Sequence, residues 1–168
     1  MNILKKNEVT FLSETWSTAP SSPCQGKTFF SVPATKSTGR GRPSGGLELL
    51  VSPSLSSRLL SSSDHHLCVH IPNLNLTVVG VYYKPSLDMD EVVEDLTRAI
   101  DASPDGAEIV VGGDFNRKLG DSDFGELCEF LGNSSISLLS DPETTTFIGA
   151  GGSSCVDHIF GSRSMTEF

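Results

Sequence analysis

The sequence predicts an α+β fold in which two packed sheets carry helices on their outside. Three observations point there. Short apolar runs of strand length recur along the 168 residues, and two of them lie close enough for a hairpin. Only two stretches keep helical spacing. Strands therefore outnumber helices too heavily for a doubly wound parallel sheet. The length fits one domain, residues 1–168, and a hydrophobic content of 37% supplies a real core with much Ser-rich loop around it.

The elements follow in order. "MNILKKN" reads as the last turn of a helix, and "EVTFL" as a short strand that delivers Glu14 and Trp16 at its C-terminal end. Residues 17–46 are rich in Ser, Thr, Pro and Gly, with Lys27, Lys36, Arg40 and Arg42 as cations, and hold one strand at "KTFFSV". "GGLELLVSP" is a strand with Leu47, Leu49 and Val51 on one face. "HLCVHIP" and "LTVVGVYYKP" form the hairpin across Asn-Leu-Asn. "SLDMDEVVEDLTRAIDAS" is the strongest helix, with Met89, Val92, Val93, Leu96, Ala99 and Ile100 at helical spacing and acids early. "EIVVGGDFN" is a buried strand, and "FGELCEFLGNS" a second helix stopping near Gly132. "ISLLS", "TTTFIG" and "CVDHIFGS" are short strands or strand ends.

Charge and cysteine usage narrow the function classes. A net charge of -9 argues against broad electrostatic capture of nucleic acid. It leaves room for a nucleic-acid enzyme, because a metal site needs clustered carboxylates. The four cysteines lie far apart without a C-x-x-C pair, which fits neither zinc nor a disulfide framework. They predict reduced thiols in an intracellular chain, nuclear or cytoplasmic and not secreted. The N-terminus lacks a signal-peptide pattern, and no window approaches the ~20 apolar residues of a membrane span.

Several groups could carry chemistry. Asp114 and Asn116, two apart, share a face of an extended backbone, where a carboxylate and an amide can polarise a water and bond a phosphate oxygen. The same pair equally suits a turn in which Asp and Asn bond their own backbone. Glu14, alone, is an ordinary surface acid. Asp157-His158 sits inside an apolar run, so it is either a satisfied core pair or part of a site. Tyr82 and Tyr83 end a strand, at the rim or in the core. His65 and His66 read as a solvated turn, with ligand types but no companions at metal spacing.

The order of these signals carries a resemblance. "FLSETW", "GRPSGGLELLV", "TVVGVYYKP", "VVGGDFN" and "TTFIGAGGSSCVDHIFGS" together resemble the endonuclease/exonuclease/phosphatase superfamily, most of all the endonuclease domains of non-LTR (LINE-type) retrotransposons. The resemblance implies a four-layer αββα sandwich of the DNase I type and hydrolysis of phosphodiesters or phosphomonoesters with magnesium, or manganese in its place. DNA is the implied substrate, and a reverse transcriptase domain the implied neighbour in an intact element. Glu14 then corresponds to the metal-binding carboxylate, Asp114 to the group that orients or deprotonates the attacking water, and Asn116 to a donor on the scissile phosphate. Tyr83 would help position that phosphate, and Thr146 would lie on the DNA-facing rim. Asp157 matches the carboxylate that orients a catalytic histidine, leaving His158 as a packing residue.

No Ser-Asp-His follows Ser162, and Met1 falls inside the helix after the family's first, asparagine-bearing strand. The resemblance thus implies a domain without its first and last strands, marginally stable, and unable to nick plasmid unaided. Two rival readings accompany it: a phosphatase of the same superfamily, and a non-catalytic remnant that binds a partner.

Overall fold

The computed structural model describes residues 8–19, 26–36, 41–149 and 152–166. The helical turn expected at Met1–Asn7 lies outside them. The strands are β1 (Val9–Leu12), β2 (Thr28–Val32), β3 (Leu47–Val51), β4 (Arg58–Ser62), β5 (His66–Ile71), β6 (Leu76–Tyr82), β7 (Glu108–Asp114), β8 (Ile136–Leu138), β9 (Phe147–Gly149), β10 (Gly152–Ser154) and β11 (Asp157–Ser162). Two α-helices interrupt them, α1 (Met89–Asp101) and α2 (Ser122–Asn133). One sheet has the order β1-β3-β2, a larger one the order β4-β5-β6-β7-β11-β8, and β9 and β10 make a separate ribbon.

All neighbours in the large sheet run antiparallel except β6 and β7. A parallel pair needs a long crossover, and α1 supplies it. Asp88 starts that helix by accepting from Glu91 N at 2.9 Å while the Glu91 side chain accepts from Asp88 N, so two unpaired N–H groups are satisfied reciprocally.

Strand alternation divides the core into two. Cys68, Val79, Val81, Tyr83, Val111, Phe115 and Phe160 point to one side of the large sheet, where Val92, Leu96, Ala99, Leu127 and Leu131 of the helices cover them. Leu67, Val69, Ile71 and Tyr82 point to the other, against Leu47, Leu49 and Val51 of β3. Among the described residues the layers are helix, sheet and sheet, which bears out the α+β class and the two packed sheets; the second helical layer of the four-layer reading does not lie among them. The two sheets touch closely where Phe11 of β1 lies on Gly80 of β6. A Cβ at Gly80 would stand 2.2 Å from Phe11 Cδ2, so only glycine admits the ring.

Two strands carry no clear signal in the sequence. β4 is a Ser-rich edge strand with a register shift between Leu59 and Ser61, and half-exposed edges lack the alternation that marks strands. β10 is Gly-Ser-Ser, without an apolar residue.

His66 corrects the expectation of a solvated turn. It is buried in β5, with Nδ1 2.9 Å from Asp95 Oδ2 of α1 and Nε2 3.0 Å from Ser61 Oγ. Tyr83 donates to the same carboxylate at 3.1 Å, and Arg98 to its other oxygen at 3.2 Å. Burial works to raise the Asp95 pKa, but the His66, Ser63 and Arg98 hydrogen bonds outweigh it and hold the carboxyl at about 2. Asp95 therefore stays ionised and pins α1 to β5 and β6. The described cysteines, Cys68, Cys128 and Cys155, are free thiols, and burial pushes Cys68 up to about 11. No described helix is long and apolar enough to cross a membrane.

Removing a buried carboxylate with several donors leaves those donors unpaired, at roughly 3–5 kcal/mol, whereas an exposed arginine contributes about 0–1 kcal/mol. Urea denaturation at neutral pH is expected to show Asp95→Ala losing at least about 3 kcal/mol and Arg98→Ala less than about 1 kcal/mol. Equal losses would mean that Asp95 does not hold the helix.

Candidate active site

Register places three side chains in one row. Tyr82 of β6 lies opposite Asp114 of β7, and Asp157 of β11 lies opposite the same Asp114. Partners in register share a face, so all three point to the side occupied by the small sheet. Glu14, just past β1, comes from that sheet, and its Oε1 accepts from the Tyr82 hydroxyl at 2.8 Å. The site thus sits where the ends of two sheets meet, and each sheet contributes acid groups.

The backbone around the row is bent into sparsely populated conformations. Glu14, Trp16 and Asn116 have φ of 51°, 54° and 50°, a region that each non-glycine side chain enters at roughly 1–3 kcal/mol. The loop is held there by Thr15 N and Trp16 N, which donate to Gly46 O and Gly45 O at 3.1 Å each. A Cβ on Gly46 would meet Thr15 Oγ1 at 2.5 Å, so the close approach of the Glu14 loop requires glycine.

Asp114 and Asn116 satisfy both readings of their spacing. Asn116 N donates to Asp114 Oδ1 at 2.9 Å, which is the local turn. Asn116 Nδ2 donates to Tyr83 O at 2.9 Å, fixing the amide beside the row. Burial, the Asp157 and Glu14 carboxylates together push Asp114 up to about 6, against the Asn116 backbone N–H, which favours the ion. A carboxylate poised near neutrality is suited to taking a proton. Burial and the Glu14 carboxylate raise the Tyr82 phenol too, so it remains a neutral donor. Thr146 Oγ1 accepts from Val156 N at 3.1 Å and Asp157 N at 3.2 Å, and so fixes the chain where Asp157 emerges.

Tyr83, the tyrosine expected to position phosphate, does not reach this row. It follows Tyr82 and so points to the opposite face, fully buried under α1 with its hydroxyl on Asp95. The tyrosine that lies in the row is Tyr82, and the register with Asp114 is the signal that separates the two. His158 is a packing residue: its ring lies 4.6 Å from that of Phe124, and Nε2 is 2.7 Å from Arg117 O. The other histidines are engaged too, His66 on Asp95, His70 3.3 Å from Thr77 Oγ1, and His65 beside the Tyr83 ring. Asp157 faces a carboxylate where the resemblance implied an imidazole.

Beside the row, where the small sheet does not cover β7 and β11, lies a cavity of about 530 Å³. Val9, Phe11, Val78 and Ile159 are among its apolar lining, and Thr146 and Asp157 among its polar lining. Glu14, Tyr82 and Asp114 do not line it, so this hollow flanks the polar row and meets it at Asp157. Among the described residues no group of three or more His, Cys, Asp or Glu is placed to hold a metal ion.

The raised Asp114 pKa has a consequence for stability. The folded state holds this proton more tightly than the unfolded chain does, so the contribution is full below about pH 3.9 and is lost as pH rises through about 6. In the presence of a chelator, Asp114→Asn is expected to be more stable than the parent at pH 8 by roughly 1–3 kcal/mol. The difference should vanish below about pH 4. Thermal melts across that range measure it, and a gap independent of pH would remove the electrostatic account.

The comparisons agree with this architecture. The family model described as "Endonuclease/Exonuclease/phosphatase family" matches residues 1–167. No curated protein sequence matches the chain. The endonuclease domain of TRAS1, a telomere-specific non-LTR retrotransposon, superposes with a TM-score of 0.67 at 20% identity, over 86% of this chain and 70% of that one. The human Nocturnin catalytic domain gives 0.58 at 13% identity, over 95% and 70%. The Neisseria 3' phosphatase NExo, bound to a product DNA hairpin, gives 0.57 at 13% identity, over 98% and 80%. At these identities the neighbours establish a shared DNase I-like fold, and the family match establishes the membership: this chain belongs to the endonuclease/exonuclease/phosphatase family.

Proposed function

We propose that the domain carries the divalent-metal phosphodiesterase site of a retrotransposon-type DNA endonuclease, and that in this chain the site acts on phosphodiesters whose leaving group departs without a proton. The observation that carries this is the carboxylate row, with Asp114 near neutrality between Glu14 and Asp157. Magnesium keeps several waters and takes one or two carboxylates, so the oxygen-only donors Glu14 and Asp114 suit it, and manganese likewise. When bound, the ion would supply a positive charge for the phosphoryl oxygens. Glu14 would hold it, oriented by the Tyr82 hydroxyl. Asp114 would orient the attacking water and accept its proton. Asn116 would lie alongside the scissile phosphate, and Thr146 would keep Asp157 at the rim. In an intact element a reverse transcriptase domain would use the nick.

No imidazole stands in the row to steady the phosphorane or protonate the leaving oxygen, and loss of such a group lowers rates by roughly 10²-fold or more. A leaving group that departs unprotonated evades that loss. The p-nitrophenyl ester of thymidine 5'-phosphate should therefore be turned over with magnesium or manganese, while nicking of supercoiled plasmid stays at background. Asp114→Ala should abolish ester turnover. Preference for the monoester p-nitrophenyl phosphate would favour the phosphatase reading, and turnover equal in Asp114→Ala the non-catalytic one.

The two tyrosines should separate cleanly in the same assay. Tyr82→Phe is expected to lower turnover about 10-fold, the effect of one lost positioning hydrogen bond to a charged group. Tyr83→Phe should keep turnover within about 2-fold and lower stability by about 1–3 kcal/mol. The reverse pattern would return the site role to Tyr83.

A further inference from the structure

Trp16 stands two residues past Glu14 and is the chain's one tryptophan. Its backbone is held in the left-handed region by the bond to Gly45 O, yet the ring stays 40% exposed. The Arg42 guanidinium carbon lies 3.5 Å from the ring centroid, and the bonds from Thr15 N and Trp16 N to Gly46 O and Gly45 O bring its loop against the one that carries Glu14. A guanidinium stacked on a ring keeps its N–H edges free in its own plane. Trp16 and Arg42 thus bring a flat apolar surface and a cation together at the mouth of an acidic site.

We infer that Trp16 and Arg42 form a nucleotide clamp: an unpaired base of single-stranded or locally opened DNA stacks on the indole, and the guanidinium meets the adjoining phosphodiester. This rests on the reading of the row as a phosphodiesterase site. Stacking on an aromatic side chain is tolerant of sequence and requires a base freed from its neighbours. Arginine meets phosphate with charge-assisted bonds from two nitrogens. In a chain of net charge -9, such a local contact supplies attraction that the overall field does not. Duplex DNA, whose bases are paired and stacked, engages only the arginine.

The single tryptophan makes the test direct. The full chain is titrated with a short oligothymidylate in chelator, so that no hydrolysis occurs, and binding is followed by Trp emission and by anisotropy of a labelled strand. Saturable quenching is expected, with the matching duplex bound about 10-fold more weakly. Arg42→Ala should weaken single-strand binding about 10-fold and reduce the slope of log affinity against log salt by about 0.7. Arg42→Lys, which keeps the charge and loses the planar stack, should fall between, and circular dichroism confirms that each variant is folded. Trp16→Phe, followed by anisotropy, should bind more weakly than the parent.

Unchanged emission at saturation, equal quenching by duplex, Arg42→Ala binding as well as the parent, or no binding at all would each overturn the clamp. Quenching that persists in Asp114→Ala and in a chain that turns over no ester would leave the clamp standing and remove the phosphodiesterase reading. Asp114-dependent turnover with unmoved Trp emission would do the opposite.

Discussion

The parallel pairing of β6 with β7 governs everything the site can do. It sets Tyr82 level with Asp114, and the antiparallel return of β11 adds Asp157 to the same row. Because side chains alternate, a slip of one residue in either ladder would exchange the contents of the two faces. Tyr83 and His158 would move toward the site, and Tyr82 and Asp157 into the core. The apolar residues forbid this slip. Val79, Val81, Val111 and Phe160 must face the helices, so the burial that stabilises the domain also fixes which polar groups meet.

Polar order on the helix side reinforces the same register. Asp95 gathers His66, Tyr83 and Arg98, tying α1 to two strands at the end of the sheet where the site lies. Such a buried carboxylate is stable only because its donors are complete. The site face is the opposite case: three acids converge there with few donors, and the backbone at Glu14, Trp16 and Asn116 is bent against its preference. Strain and repulsion on one face are tolerated because packing on the other is dense.

Much of this was legible in the residues. The apolar spacing of Met89 to Ile100 marked α1, the run before Asp114 marked β7, and the ordered stretches from "FLSETW" to "CVDHIFGS" marked the family. Edge strands were less legible, because β4 and β10 bury little and so carry no alternation. The choice between Tyr82 and Tyr83 needed a register that pairing sets and local sequence does not. His66 lies beside three serines and an aspartate, a setting that looks solvated; its partner Asp95 is 29 residues away. Arg42 and Trp16 are likewise distant in sequence, and their contact depends on the glycines that bring the two loops together.

The division of the acids between two sheets gives the Phe11–Gly80 contact a wider meaning. Glu14 belongs to one layer, and Asp114 and Asp157 to the other, so any ligand that touches both acts as a cross-layer tie. Occupancy and cohesion of the sandwich then become one equilibrium, in which ligand stabilises the domain by RT ln(1 + [L]/Kd). A small shear of one sheet over the other would likewise dismantle the site before either sheet unravels, so the activity of such a domain would report on the grip between its layers.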